Sequence, residues 1–113
     1  MPLLSENLGY MLAAAVDAIS ALGGYSLYEL QQNREKQAAL CYLVIVAGES
    51  ANRVRESGQH EQYPQIQWHS LAGMRNRLAH QHHRVDFDIV MQTVTVNFPQ
   101  LIASIEAILD DLP

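Results

Sequence analysis

The stretch Asn33-Arg-Glu-Lys-Gln-Ala-Ala-Leu-Cys-Tyr-Leu-Val-Ile-Val-Ala-Gly-Glu-Ser-Ala-Asn-Arg-Val-Arg-Glu-Ser57 decides the fold. Its middle, residues 42–47, is rich in β-branched and aromatic side chains and fits a buried strand on propensity alone. Length decides against a strand. The apolar pattern extends through Ala38, Leu40, Ala51 and Val54, is flanked by Glu, Lys and Arg, and contains no turn signal. It predicts one long helix from Asn33 to about Ser57. A helix with an apolar middle on every side fits the centre of a bundle.

The neighbouring segments read the same way. Upstream, Ser5 precedes Leu8, Met11, Leu12, Ala15, Val16, Ile19 and Leu22, which predicts a capped amphipathic helix ended by Gly23-Gly24. Ser26 with Glu29 three residues on predicts a short capped turn of helix to Gln31. Downstream, Gly58 to Pro64 is polar and loop-like, and a third long helix is expected from Ile66 to about His82. Asp86 is placed to cap a helix over Phe87–Val96, with Asp88 at its positive end. Pro99 is expected to interrupt, and Leu101, Ile102, Ile105, Ile108 and Leu109 form a last amphipathic helix. No segment alternates as a strand does. The expected class is all-α, an antiparallel bundle of four to five main helices.

The chain has 113 residues, enough for one core, and its 49% hydrophobic and 17% charged content marks a globular domain. Cys41 is the sole cysteine, so it forms no internal disulfide and is expected as a small buried hydrophobe in a reduced, cytoplasmic protein. The first residues carry no basic and apolar signal pattern, and no apolar run is long enough to cross a membrane.

The net charge of −5 argues against nucleic-acid binding. The average hides an inversion. From Gln62 to Val85 there is no Asp or Glu, while Arg75, Arg77 and Arg84 give that window +3 and leave −8 for the rest. His69, His80, His82 and His83 lie in the same window.

On a helical wheel with Trp68 at the origin, Leu71, Ala72, Met74, Leu78 and Ala79 share one apolar face, and Arg75 falls in its middle at roughly 340°. An arginine there needs a partner, because an unpaired buried charge is costly. One reading is a buried ion pair, with Glu49 as the natural carboxylate. The other is a cleft in which the guanidinium meets an anion such as phosphate. His80 points about 140° away from Arg75. The two meet at one atom only if the helix bends or ends near His80, or if two symmetry-related chains share a groove. A metal site built from His80, His82 and His83 lacks further ligands, since His69 is about 16 Å away along the helix. His60 is expected to be a solvated loop residue.

The segment Gly73-Met-Arg-Asn-Arg-Leu-Ala-His-Gln-His-His-Arg-Val-Asp86 resembles the signature of the HEPN superfamily, in its HepT-like toxin branch. The signature is an arginine, a polar residue and a histidine shortly after, matched here by Arg75, Asn76 and His80. Val46-Ala-Gly-Glu-Ser-Ala51, Tyr63-Pro-Gln-Ile-Gln-Trp68 and Val85-Asp86 followed by Ile89-Val90 look like the same branch in order and spacing. The resemblance implies a homodimer with the Arg/His motifs of both copies lining one cleft. It implies a metal-independent endoribonuclease toxin without cofactor, paired with a minimal nucleotidyltransferase antitoxin.

The implied chemistry is attack of a ribose 2′-hydroxyl on the adjacent phosphorus. His80 moves the proton, Arg75 stabilises the charged phosphate, and Asn76 holds His80 or a phosphate oxygen. Arg77, His82, His83 and Glu49 are the expected supporting or RNA-binding residues. The branch often has Tyr where His82 stands, and its antitoxin adenylylates that hydroxyl; His82 cannot carry that modification. The rival reading is a non-catalytic nucleotide- or RNA-binding module, or the partner subunit of a nucleotidyltransferase. A metal enzyme built on the histidines comes third.

Overall fold

Helix α1 (Leu4–Leu22) lies against α3 (Arg34–Ser57), and the pair forms the spine of the molecule. The computed structural model describes residues 4–80 and 84–113. Among these there is no strand; the chain is all-α. The long run from Arg34 to Ser57 is one unbroken helix, as its length requires. Asn33 caps it by accepting a hydrogen bond from the Lys36 amide at 3.0 Å, and Gly58, at φ 80°, closes it in the left-handed conformation that glycine adopts without strain.

The short helix α2 (Leu27–Gln31) carries the expected capping box: Ser26 and Glu29 bond each other's backbone amides reciprocally. Those bonds from Ser26 hold the Glu29 carboxyl below the usual carboxylate range. The Lys36 ammonium then ties the end of α1 to the start of α3, bonding the Ala21 carbonyl and lying 4.2 Å from the centre of the Tyr25 ring. That contact fixes α1 and α3 as antiparallel.

After a 3₁₀ turn (Gln59–Gln62), α4 (Trp68–His80) packs back along α3. It starts two residues later than expected. Ile66 is buried in the turn before it, and the Trp68 indole donates to the Tyr63 carbonyl at 2.9 Å, which pins that turn. The expected end near His82 lies outside the described residues. Helix α5 (Phe87–Gln92) is capped by Asp86 as expected.

The expected break at Pro99 is not there. A π-turn (Thr93–Asn97) joins α5 to α6 (Phe98–Asp111), so the chain is helical from Phe87 to Asp111. Proline lacks the N–H that an α-helix interior needs. The wider turn absorbs this: the Phe98 amide reaches back to the Thr93 carbonyl, and the Thr93 and Thr95 hydroxyls bond the Ile89 and Met91 carbonyls at 2.7 and 2.8 Å.

The core is continuous through all these helices, with Leu8, Met11, Leu40, Val44, Phe98 and Ile105 fully enclosed. Several expectations are corrected at its edge. Ser5 lies inside α1 rather than capping it, and Val16 and Ile19 face outward. The middle of α3 is not buried on every side, since Tyr42 is exposed. Cys41 is only half-buried, and desolvation still raises its thiol pKa.

The closest approach of the two helices is at Gly48. A Cβ there would sit 2.4 Å from the Arg75 Cβ and 2.7 Å from the Leu71 carbonyl oxygen. A Cβ on Gly73 would meet nothing within 4 Å. Gly48→Ala is therefore expected to destabilise the fold by about 1–3 kcal/mol through overpacking. Gly73→Ala is expected to stabilise it by about 0.5–1 kcal/mol by removing backbone freedom. Chemical denaturation of the two variants against the parent chain checks both signs.

Candidate functional site

The contact at Gly48 positions the candidate site. It brings the aliphatic stem of Arg75 against the backbone of α3, one residue before Glu49. The guanidinium then reaches past the helix. Its Nη2 lies 3.4 Å from Glu49 Oε1, and its Nη1 donates to Asn76 Oδ1 at 3.1 Å. Its Nε is shielded from solvent and has no hydrogen-bond partner among the described residues.

Glu49 is thus the carboxylate that the wheel pointed to, but the pair is not buried: the two side chains keep 31% and 42% of their exposure. At 3.4 Å the bond is at the long end of the useful range. The geometry is a cation with an enclosed stem and an accessible head, held loosely by one carboxylate.

Asn76 turns its carbonyl oxygen to Arg75, not to His80. His80 is the last residue of α4, exposed, and its side chain has no partner among the described residues. Because α4 runs unbroken to that point, Arg75 and His80 leave it about 140° apart and about 7.5 Å along the axis. One chain does not bring them together. Arg77 is exposed on yet another side of the helix. His82 and His83 lie outside the described residues. Among the described residues, no three His, Cys, Asp or Glu side chains gather where they could hold a metal ion. No described helix is long and apolar enough to cross a membrane.

His60 is not the solvated residue expected. It is half-buried, edge-on to the Trp68 ring at 6.4 Å between centroids, with its Nδ1 shielded.

Three features escaped sequence reading. Gly48 is the first: a glycine inside a helix costs stability and implies a packing reason, which is the one signal that points to it. Tyr10 and Tyr42 are 49% and 66% exposed beside a groove between α1 and α3. A second groove, between α4 and α6, is lined by residues drawn from four separate segments. Neither groove has a local pattern, because each is assembled by packing.

A family model described as "Ribonuclease HepT-like" matches residues 11–108. Similar proteins include two from Methanocaldococcus jannaschii. "Putative RNase MJ0125" is 32% identical over 84 residues, covering 74% of this chain and 72% of its own. "Putative RNase MJ1216" is 29% identical over 96 residues, covering 85% of this chain and 78% of its own. No solved structure matches the chain.

The exposure of the Arg75–Glu49 pair makes a quantitative statement about stability. A buried pair broken on one side costs about 3–5 kcal/mol, whereas an exposed one is worth about 0–1 kcal/mol. Glu49→Gln is expected to change the unfolding free energy by less than about 1 kcal/mol, and the change shrinks further as salt screens the pair. Urea unfolding at low and high ionic strength measures it.

Proposed function

The chain belongs to the ribonuclease HepT-like family, and we propose that it is a metal-independent endoribonuclease whose Arg75 and His80 act in a cleft between two copies of the chain. The observation that carries this reading is the part-exposed guanidinium of Arg75, whose stem is clamped by Gly48 and whose head meets one carboxylate, Glu49, at a long 3.4 Å beside its bond to Asn76. A phosphate offers a stronger, bidentate partner than Glu49 does at 3.4 Å. His80 is exposed on the same helix and has no side-chain partner among the described residues, and an imidazole is the side chain suited to proton transfer. The family membership and the carboxylate-free window from Gln62 to Val85 support the same reading.

The reaction needs no metal. His80 takes the proton of a ribose 2′-hydroxyl, and the oxygen attacks the adjacent phosphorus. A P–O bond to the 2′-oxygen forms while the bond to the 5′-oxygen breaks. The products are a 2′,3′-cyclic phosphate and a 5′-hydroxyl, formed as the departing 5′-oxygen takes a proton from water. Arg75 stabilises the extra negative charge on the phosphate oxygens as it develops. Asn76 holds Arg75 in place through its 3.1 Å bond. Arg77 and the histidines His82 and His83 contact RNA backbone around the cleft.

In this reading the protein is the toxin of a pair, and its partner is a minimal nucleotidyltransferase. His82 offers that partner no phenolic oxygen to adenylylate. The structure has one feature that favours the binding-module alternative: Glu49 already occupies Arg75.

Cleavage of total RNA in the presence of EDTA separates the readings. Arg75→Ala is expected to lower the rate by about 10²–10³ and His80→Ala by about 10²–10⁴, with both proteins folded. Product ends should be cyclic phosphate and 5′-hydroxyl. Full cleavage by both variants would sink the site assignment, and RNA binding with no cleavage by the parent protein would establish the alternative.

Pairing of two copies also has a candidate face. The groove between α1 and α3 carries Tyr10 and Tyr42, with Glu49 on its wall. Because the two helices are antiparallel, Asp17 lies at its Tyr42 end and Arg53 at its Tyr10 end. A two-fold axis across the groove sets each Arg53 opposite Asp17 of the second copy, twice. Asp17→Arg and Arg53→Asp are each expected to shift the protein towards monomer in light scattering, and the double swap to restore the dimer. Single variants that remain dimeric would exclude this face.

A further inference from the structure

We infer that the groove between α4 and α6 is a nucleobase site, and that adenine is the base it takes. The helix α4 leans on α3 and makes little contact with α6, which leaves a groove of about 350 Å³. Its floor is apolar, formed by Leu71, Met74, Phe98 and Leu101. Around the rim stand four carboxamides, those of Gln65, Gln67, Asn97 and Gln100. Ser70 and Ser104 add hydroxyls, and no charged side chain lines the groove.

None of the four carboxamides has a hydrogen-bond partner among the described residues. Asn97 is the notable one. It occupies the residue before α6, where an asparagine side chain usually caps the helix, yet here it makes no capping bond. The π-turn carries the backbone straight through that position, so the cap is not needed and the amide is left on the groove wall. Pro99 follows in the first turn of α6.

The chemistry of this rim selects its ligand. A volume of about 350 Å³ lies at the small end of ligand pockets, which suits one planar heterocycle. A charged ligand would find no counter-charge there. A carboxamide presents one donor and one acceptor side by side, the pattern that pairs with the adenine N6 and N7 edge. Guanine is read best by arginine or lysine, and none lines the groove. Single-stranded bases are held by stacking together with edge contacts; here Met74 is the most open of the floor residues, Phe98 being fully buried beneath it, and the rim supplies the edge contacts.

The groove also has a direction. It runs along the Ser70–Met74 side of α4, about 100° around the helix from Arg75, whose stem rests on α3. Between them the exposed surface of α4 has no carboxylate, and Gly73 leaves its middle without a side chain. A strand whose base sits in the groove can therefore cross α4 to the phosphate site unopposed. This strand path rests on the ribonuclease reading; base binding in the groove does not.

The test uses the whole protein and short 2′-deoxy oligonucleotides of single composition. They lack the 2′-hydroxyl and are not cut in the proposed reaction. The oligoadenylate is expected to bind about tenfold more tightly than the oligocytidylate or oligothymidylate, and to shift the Asn97 and Gln67 side-chain amide signals in NMR spectra. Asn97→Asp and Gln67→Leu, both at exposed positions, should erase that preference. Arg75→Ala should weaken all oligonucleotides and keep it.

Equal affinities for all compositions would overturn the inference, as would a preference that survives both groove variants. Base preference in a protein that never cleaves RNA would sink the ribonuclease reading and leave the groove standing. Cleavage by a protein with no base preference would do the reverse.

Discussion

One missing methyl group organises the functional half of the molecule. With no Cβ on Gly48, α4 comes close enough to α3 for the Arg75 stem and the Leu71 carbonyl to rest on the α3 backbone. Everything at the candidate site follows from that contact. The enclosed stem leaves the guanidinium few directions, and the residue after Gly48 is the carboxylate that meets it. A larger residue at position 48 would push α4 outward and separate Arg75 from Glu49 together. The glycine costs helix stability, and the close approach it permits is the compensation.

The all-α class was legible because the Asn33–Ser57 run is too long for a strand, and the caps at Ser26 and Asp86 are local bonds that short motifs specify. What failed to read was also physical. Pro99 signals a break, but it sits in the first turn of α6, next to a π-turn in which the Phe98 amide reaches back to the Thr93 carbonyl, and the helix runs on. Ile66 belongs to the apolar pattern of the next helix and yet is buried in a turn held by the Trp68 indole. At the site, the wheel placed Arg75 against Glu49 correctly and misjudged the depth. A wheel gives direction around an axis, and exposure depends on how far the neighbouring helices extend.

The charge distribution gains a structural meaning. The carboxylate-free window from Gln62 to Val85 holds α4, the helix with Arg75 on one flank and the carboxamide groove on the other. The rest of the chain carries a net −8, which weakens the general attraction of the molecule for polyanions. Net charge therefore misleads for this protein: what matters for a phosphate is the field at α4.

Glu49 joins the two halves of this picture. It is the partner of Arg75 and also a wall of the groove between α1 and α3, because its position on α3 lies between the two neighbouring helices. Anything that settles on that groove changes the surroundings of Glu49, and Glu49 is the group that competes with a phosphate for Arg75. A carboxylate drawn towards a new neighbour releases the guanidinium; one left alone keeps it. The 3.4 Å separation and the part-exposed state of both side chains make the Arg75–Glu49 pair weak, worth only about 0–1 kcal/mol. If two copies pair across that groove and Arg75 holds a phosphate, as proposed above, one side chain links the two.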